Sequence, residues 1–195
     1  MTGGRPLDRI AWPVPTERLL LRAATAEDAA ATWRYRRLES VSHWLTRAPR
    51  TFDEHRTTFE EPATLAKTVL IERDGEVIGE LMVAVEDGWA QAELVAPAKG
   101  AHAELGWVLD PDHTGRGYAS EAVRELIRIC FEDLGLRRVR AGCFAENEVS
   151  WRLMERVGMR REAHSVRDAL HRSGRWLDGF EYALLADEWR RPARD

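Results

Sequence analysis

The chain has 195 residues, of which 44% are hydrophobic and 32% are charged, and its formal net charge is −4. This composition is typical of a single soluble globular domain with enough chain to bury a core. The slightly acidic net charge does not favour binding to nucleic acid, and no apolar run is long enough to cross a bilayer. We therefore expect neither nucleic acid nor a membrane as a partner.

The N-terminal part of the chain predicts a tail, one strand and two helices. Residues 1–15 are rich in glycine and proline and lack the apolar stretch of a secretory signal, so we expect a tail and no export. Thr25 offers an N-cap for the first helix, and Thr51 or Asp53 for the second. The predicted elements are strand 18–22, helix 26–38, loop 43–49 and helix 52–65.

A hairpin is predicted next. Apolar runs at 68–72 and 77–85 flank Asp74 and Gly75, and Asp-Gly between two such runs is typical of a tight turn between antiparallel strands. Residues 86–101 fit either a loop or an extended hairpin tip. Because this hairpin excludes an all-parallel sheet, the interleaved strands and helices predict an α/β fold with a mixed sheet.

The most informative segment is a glycine-rich turn, T-G-R-G-Y-A at 114–119, between strand 103–109 and helix 117–134. Glycines let backbone N–H groups approach a ligand, and a helix N-terminus carries partial positive charge. The turn therefore predicts a site for a phosphorylated ligand. The P-loop pattern does not occur in the sequence, and the dinucleotide fingerprint G-x-G-x-x-G fails at Ser120.

The C-terminal part predicts strand 138–144, a helix that Asn147 caps and Gly158 ends, and strands near 161–169 and 175–185. Cys130 and Cys143 fall on apolar positions and are expected to be small core residues. Two cysteines do not make a disulfide framework, which fits a cytoplasmic location. The six histidines show no metal-ligand spacing, so we expect no metal.

The turn resembles the pyrophosphate loop Q/R-x-x-G-x-G/A of the GCN5-related N-acetyltransferases (GNAT), with a departure at Thr114. The resemblance extends to A-E-L-G-W-V-L-D-P before the turn and to N-E-V-S-W-R-L-M-E-R-V-G-M after it. Segments 176–178 and 182–189 resemble the RimJ/RimL-like branch, which acetylates ribosomal-protein N-termini. We therefore expect one domain over 16–190 and a C-terminal tail at 191–195.

The resemblance implies a seven-stranded mixed sheet, four main helices and central strands that splay apart at Leu105 and Val139. It also implies acetyl-CoA as cosubstrate, with its pantetheine arm in the gap. Arg152 and Arg156 share a helix face and are candidates for neutralising a phosphate; the alternative is a solvated, salt-bridged surface. The residues expected to contact the cofactor are Val108, Leu109, Thr114, Gly115, Arg116, Gly117, Tyr118, Ala119, Ser120, Asn147 and Ser150.

Acetyl transfer needs a hydrogen-bond donor for the thioester carbonyl, a base for the amine and an acid for the departing thiolate. The family implies a backbone N–H near Val108 as the donor. Glu104 is the candidate base, acting through a water; the alternative is an exposed strand-end carboxylate. Ser150 is the candidate acid; the alternative is a serine that only contacts the backbone or the cofactor.

In the family, the first helix pair and the last hairpin line the acceptor pocket. In this chain that implies His43, Trp44, Trp176 and Asp178. Packing in the core or in a lid is the alternative for the two tryptophans, and Asp178 could instead close a turn.

The expected function is a cytoplasmic N-acetyltransferase acting on a protein N-terminal α-amine. An α-amine titrates at about pH 7.7–8.0 and lysine at about 10.4. Deprotonation at neutral pH therefore costs about 1 kcal/mol for the α-amine and roughly 4–5 kcal/mol for lysine. One alternative is a small amine acceptor, such as an antibiotic, polyamine or amino-acid derivative. Another is a non-catalytic acyl-CoA sensor. A homodimer through exposed tryptophans such as Trp89 stays open.

Overall fold

The computed structural model describes residues 5–189 and contains one open sheet. Its strands are β1 Val14–Pro15, β2 Leu20–Ala23, β3 Thr68–Arg73, β4 Glu76–Glu86, β5 His102–Leu109, β6 Arg138–Phe144, β7 Arg160–Leu170 and β8 Trp176–Leu185. Their order across the sheet is β1-β2-β3-β4-β5-β6-β8-β7. Neighbouring strands are antiparallel except β5 and β6, which are parallel. The sheet is therefore mixed, as predicted.

The helices are α1 Ala29–Arg36, α2 Glu39–Ser42, α3 Phe52–Phe59, α4 Pro62–Leu65, α5 Val95–Ala98, α6 Tyr118–Arg128 and α7 Glu148–Arg156. A π-helical turn at Ile129–Asp133 continues α6. Helices α1, α3, α6 and α7 are the longer ones, so the predicted mixed sheet with four main helices is confirmed. The described sheet has eight strands in place of seven, because Val14–Pro15 adds a short edge strand to β2.

Both faces of the sheet are covered. On one face, α6 and α7 bury a large core with the sheet, in which Leu126 and Met154 pack with Leu81, Leu105 and Val139. On the other face, Tyr35 of α1 packs on a small cluster of Leu70, Val77 and Val108. Most residues of β3 and the first half of β4 are consequently buried, and β5 pairs with β4 in an unbroken register.

The predicted N-terminal tail at 1–15 is wrong over its described part. Leu7 and Ile10 are buried in the core, and the indole N–H of Trp12 donates to the Leu7 carbonyl at 2.9 Å. Three apolar side chains within six positions bury enough surface to order this segment against the sheet. Residues 1–4 and 190–195, which include the predicted C-terminal tail, lie outside the described residues.

The predicted helix 52–65 is two helices. The Thr51 hydroxyl accepts the Glu54 N–H at 3.2 Å and caps α3, as one of the two predicted caps. Pro62 stands at the first turn of α4. Proline lacks the N–H that would continue α3 and its ring clashes with the preceding turn, so the helix restarts there.

The predicted hairpin is confirmed. Asp74 and Gly75 have φ of 51° and 80°, the left-handed pair that a two-residue turn requires. The ambiguous segment that follows contains a 3-10 turn at Ala92–Leu94 and the short α5, and Trp89 within it is 92% exposed. Within residues 5–189, no helix has both the length and the apolar character needed to cross a membrane.

Candidate active site

The two central strands diverge after a short paired start. His102, Ala103 and Glu104 of β5 pair with Arg138, Val139 and Arg140 of β6, and the pairing ends there. The predicted splaying is therefore confirmed, and it begins at Leu105 on β5 and Ala141 on β6. The backbone edges that face each other beyond this point have no strand partner, which opens a cleft in the middle of the sheet.

A cavity of about 310 Å³, the cleft cavity, fills this gap. Four of the predicted site residues lie on its β5 wall and its opposite wall: Glu104, Val108, Asn147 and Ser150. It is lined by Glu104, Leu105, Gly106, Trp107 and Val108 on β5, by Gly142, Cys143, Asn147 and Ser150 opposite, and by Arg36, Trp44, Leu45, Thr46, Thr64, Lys67, Thr68, Glu80, Leu81 and Met82 at its end.

The glycine-rich turn forms a second cavity of about 460 Å³, the loop cavity, beside the first turn of α6. Gly115 and Gly117 have φ of 73° and 82°, a left-handed conformation that favours glycine. Trp107 lines both cavities, so they are neighbours. The loop cavity is lined by Trp107, Leu109, Thr114, Gly115, Gly117, Tyr118, Ala119, Ser120, Val149, Leu153 and Arg156.

Two predicted contact residues have structural partners of their own. The Thr114 hydroxyl donates to the Pro111 carbonyl at 2.8 Å, and this bond orders the start of the turn. Thr114 thus makes a local contact although it lacks the long side chain of the Q or R in the loop pattern Q/R-x-x-G-x-G/A. The Tyr118 ring is buried beneath the guanidinium groups of Arg18 and Arg73, at 4.8 and 5.0 Å from its centroid. Arg116 is exposed and its side chain does not line the loop cavity.

Arg156 is the cation that lines the loop cavity. Its Nε donates to the Ser120 hydroxyl at 3.4 Å. Arg152, one turn earlier on α7, instead pairs with Glu148 at 2.9 Å and lies over the Trp151 ring. Of the two arginines on this helix face, Arg156 therefore lines the loop cavity and Arg152 does not.

Ser150 and Cys143 meet on the wall of the cleft cavity. The Asn147 side chain accepts the Ser150 N–H at 3.3 Å, which confirms Asn147 as the cap of α7. Burial raises the pKa of the Cys143 thiol to about 11, against a hydrogen bond with Ser150 that lowers it. Cys130 is buried in the core as predicted, whereas Cys143 is half-buried in the cleft wall.

Glu104 is held by a cation. Its Oε2 accepts a hydrogen bond from Arg140 Nη2 at 2.9 Å, and the same Nη2 lies 2.9 Å from Glu86 Oε1. Glu181, across β6, lies 3.7 Å from Arg140 Nη1. Burial raises the pKa of Glu181, and the charge of Glu104 adds to the rise although Arg140 opposes it. The cleft mouth thus carries three carboxylates around one guanidinium.

Strand alternation decides which backbone amides face the cleft. The Asp110 N–H donates to the Ile78 carbonyl at 2.8 Å, and the register of β4 against β5 is unbroken. Because successive residues of a strand direct their N–H groups to opposite neighbours, the Val108 N–H faces β4. The amides on the open edge are those of Trp107 and Leu109, so the expected donor moves from Val108 to one of these.

The four residues that were predicted to line the pocket of the amine acceptor do not lie together in the structure. Trp44 lines the cleft cavity and packs on Phe144 and His171 at 5.9 and 5.4 Å between ring centroids. The His43 carbonyl accepts from His171 Nε2 at 2.9 Å, which ties this loop to the last hairpin. His43 itself lines neither the cleft cavity nor the loop cavity.

Trp176 and Asp178 do not reach these cavities. Trp176 is exposed at the start of β8. Asp178 accepts hydrogen bonds from the Arg167 N–H at 2.9 Å and from His164 Nε2 at 2.7 Å, and these lower its pKa. Its carboxylate therefore holds the hairpin together, and the expectation of an acceptor contact has no support in this geometry.

A third cavity of about 590 Å³, the side cavity, was not predicted. It is lined by Arg36, Thr46, Arg47, Ala48, Pro49, Glu54, His55, Thr58, Phe59, Thr64 and Lys67. Four of these residues also line the cleft cavity: Arg36, Thr46, Thr64 and Lys67. The sequence carries no signal for it, because its walls come from α1, α3, α4 and the connecting segments beside them, which have no common motif.

Comparison with known proteins gives a consistent result. The family model described as "Acetyltransferase (GNAT) domain" matches residues 18–160. The chain is 28% identical over 179 residues to the uncharacterized N-acetyltransferase YnaD of Bacillus subtilis (strain 168), which covers 90% of this chain and 98% of YnaD. It is also similar to a GNAT-family acetyltransferase structure from Bacillus anthracis, with a TM-score of 0.76, 28% identity and coverage of 90% and 99% of the two chains.

A further similar structure is RimL, described as a ribosomal L7/L12 α-N-protein acetyltransferase in complex with coenzyme A. The TM-score is 0.74 at 20% identity, and the match covers 91% of this chain and 99% of RimL. At this identity the likeness is one of fold.

Proposed function

The chain belongs to the acetyltransferase (GNAT) family, and we propose that its acceptor is the α-amine of a protein N-terminus. It is an acyltransferase, and its acetyl donor is acetyl-CoA. The observation that carries the proposed transfer site is the cleft between β5 and β6, where Glu104 and Ser150 line one cavity and the loop cavity adjoins it.

The residues present fit the donor. Positive φ at Gly115 and Gly117 and the N-terminus of α6 offer backbone N–H groups and a favourable dipole to the pyrophosphate. Arg156 adds a full positive charge at the same cavity. The pantetheine arm supplies a chain of amides, and the unpaired edge of β5 in the cleft supplies matching backbone groups. Acetyl-CoA brings the thioester when it is bound.

The protein's own groups then have three tasks. The Trp107 or Leu109 N–H, on the open edge of β5, donates to the thioester carbonyl. Glu104 takes a proton from the amine through a water, while Arg140 fixes its orientation at 2.9 Å. Ser150, beside the neutral Cys143 thiol, relays a proton from solvent to the departing thiolate, so its hydroxyl is neutral before and after the step.

An N-terminal α-amine suits this arrangement because it needs only a weak base near neutral pH. The RimJ/RimL-like C-terminal segments support the same acceptor class, as does the RimL fold. Free cysteines at positions 130 and 143 support a reducing, cytoplasmic setting.

The test is a thiol-release assay with acetyl-CoA and a panel of short peptides and small amines, run beside Glu104→Gln and Ser150→Ala. Glu86→Gln is the matched control, because Glu86 binds the same Arg140 but does not line the cleft cavity. We expect turnover on peptide α-amines, a loss of about 100-fold in kcat for each site variant, and unchanged CoA affinity in Glu104→Gln.

Turnover confined to small amines would replace the protein acceptor by a small-molecule one. CoA binding without turnover on any amine would favour a sensor. Equal losses in Glu104→Gln and Glu86→Gln would assign Glu104 to the charge network of Arg140 and remove it as the base.

A further inference from the structure

The side cavity adjoins the place where the proposed reaction occurs. Arg36, Thr46, Thr64 and Lys67 line both the side cavity and the cleft cavity, so the two spaces meet at these four residues. An acceptor whose amine lies in the cleft cavity can therefore extend past these four residues into the side cavity. The inference below rests on the proposed function only in taking the cleft as the position of the reacting amine.

The charges of the side cavity are uneven. Arg36 is matched by Glu80, a buried carboxylate that accepts its Nε and lies against its Nη2. Glu54 is the acidic residue of the lining, and it keeps its negative charge because, among residues 5–189, its Oε2 accepts only the neutral Arg50 N–H, at 2.7 Å. Burial, with the charge of Arg36, lowers the pKa of His55 to about 4, so this imidazole is neutral at pH 7.

Two cations remain. Lys67 is half-buried at the junction and Arg47 is exposed at the rim, and neither side chain makes an ion pair or a hydrogen bond with any of residues 5–189. Glu60 and Glu61, between α3 and α4, are exposed and line neither cavity. An unmatched half-buried ammonium beside a cavity favours an anion there, since nearby protein carboxylates do not neutralise it.

We propose that the acceptor carries a carboxylate close to its reacting amine, and that Lys67 and Arg47 bind this carboxylate in the side cavity. The hydroxyls of Thr46, Thr58 and Thr64 complete a polar lining for it. An acidic side chain near a protein N-terminus and the α-carboxylate of a free amino acid both supply this chemistry. A polyamine does not, because its second ammonium would meet the two cations Lys67 and Arg47 with Glu54 as the single carboxylate of the side-cavity lining.

Binding measurements separate this inference from the catalytic proposal. The protein is saturated with CoA, which cannot transfer an acetyl group, and titrated calorimetrically with the C-terminally amidated peptides Ser-Glu-Ala, Ser-Gln-Ala and Ser-Lys-Ala. Free serine and serinamide form a second pair that reports on an α-carboxylate. We expect Ser-Glu-Ala or free serine to bind about tenfold more tightly than its uncharged partner, and Ser-Lys-Ala to bind most weakly.

The variants Lys67→Gln and Arg47→Gln should each reduce the acidic preference by about threefold to tenfold, and Lys67→Glu should reverse it. Lys99→Gln is the matched control, because Lys99 is an exposed lysine that lines neither cavity. The preference should also weaken as ionic strength rises.

Equal affinities within both pairs, or a preference that both neutralising variants retain, would overturn the inference. Arg47 is exposed, so its variant tests the idea even if Lys67→Gln folds poorly. An acidic preference without turnover on any amine would leave the subsite standing and remove the proposed reaction. Turnover without the acidic preference would leave the proposed reaction standing and remove the subsite.

Discussion

Arg18 is bound to Glu121 through both its backbone and its side chain. The Arg18 N–H donates to Glu121 Oε1 at 2.8 Å and its Nε to Oε2 at 2.7 Å, and Thr16 donates to Oε1 at 2.6 Å. Although burial acts to raise it, these hydrogen bonds hold the pKa of Glu121 below its usual value. Arg18 also donates to the Arg116 carbonyl at 3.0 Å, so the N-terminal segment braces the glycine-rich turn.

Arg18→Gln and Glu121→Gln should therefore loosen the turn. Each variant is expected to weaken CoA binding about fivefold while kcat at saturating acetyl-CoA changes little, because the brace positions the loop and does not touch the reacting atoms. Arg56→Gln, which removes an exposed ion pair with Asp53 on α3, is the control. Equal CoA affinity in Arg18→Gln and the control, measured by calorimetry, would show that the turn holds its shape unaided.

Gly115 and Gly135 form a matched pair for the glycine-rich turn. Both have positive φ, 73° and 70°, and a Cβ added at either would meet no atom within 4 Å. Alanine at each should thus cost about 1–2 kcal/mol in free energy of unfolding from backbone strain alone. Only Gly115→Ala should also weaken CoA binding, because only that turn faces the loop cavity. A parallel loss of affinity in Gly135→Ala would contradict this assignment.

Arg156 and Arg152 test the assignment of the phosphate cation. Arg156 lines the loop cavity, whereas Arg152 is paired with Glu148 outside it. Arg156→Gln should weaken CoA binding about tenfold, and the loss should shrink at high salt because part of it is electrostatic. Arg152→Gln should leave the affinity within about twofold of the parent protein. The reverse ranking in a fluorescence titration would assign the phosphate to Arg152.

His55 predicts a loss of stability in acid. Its pKa in the folded state is about 4, below the value of about 6.5 for an unperturbed histidine. The unfolded chain therefore binds more protons below that pH, and the stability that is complete above about pH 6.5 falls as the pH approaches 4. The loss is at most about 3 kcal/mol. Urea unfolding from pH 7 to 4 should show a shallower decline in His55→Gln than in the parent protein, and an equal decline in the two proteins would contradict this assignment.

Local chemistry made the glycine-rich turn predictable. Gly115 and Gly117 adopt left-handed φ, and Asn147 caps a helix, for reasons contained in each residue and its neighbours. The Asp74-Gly75 hairpin is predictable on the same grounds. These signals predict the turn, the helix cap and the hairpin, whereas the divergence of the two central strands was expected from the resemblance to the GNAT family.

The acceptor side could not be predicted in the same way. Lys67, Arg47 and Arg36 come together only when α1, α3 and the connections around them pack on the sheet. The sequence predicted that Asp178 contacts the acceptor. Its hydrogen bonds with His164 and the Arg167 N–H instead depend on the path of a long hairpin, which local sequence does not specify. Burial of Leu7 and Ile10 is likewise a tertiary event that overrides the glycine- and proline-rich composition around them.

The short pairing of β5 with β6 has a thermodynamic consequence. Three residue pairs between β5 and β6 join the five strands β1 to β5 to the three strands β6, β8 and β7. The protein alone therefore leaves the seam, the boundary between β5 and β6, incompletely paired. A cosubstrate that spans the seam binds the folded chain and not the unfolded one. By mass action, cellular acetyl-CoA at roughly 100 times its Kd would add about 2.7 kcal/mol to folding stability. The supply of the acetyl donor would then govern how long the enzyme survives as well as how fast it works.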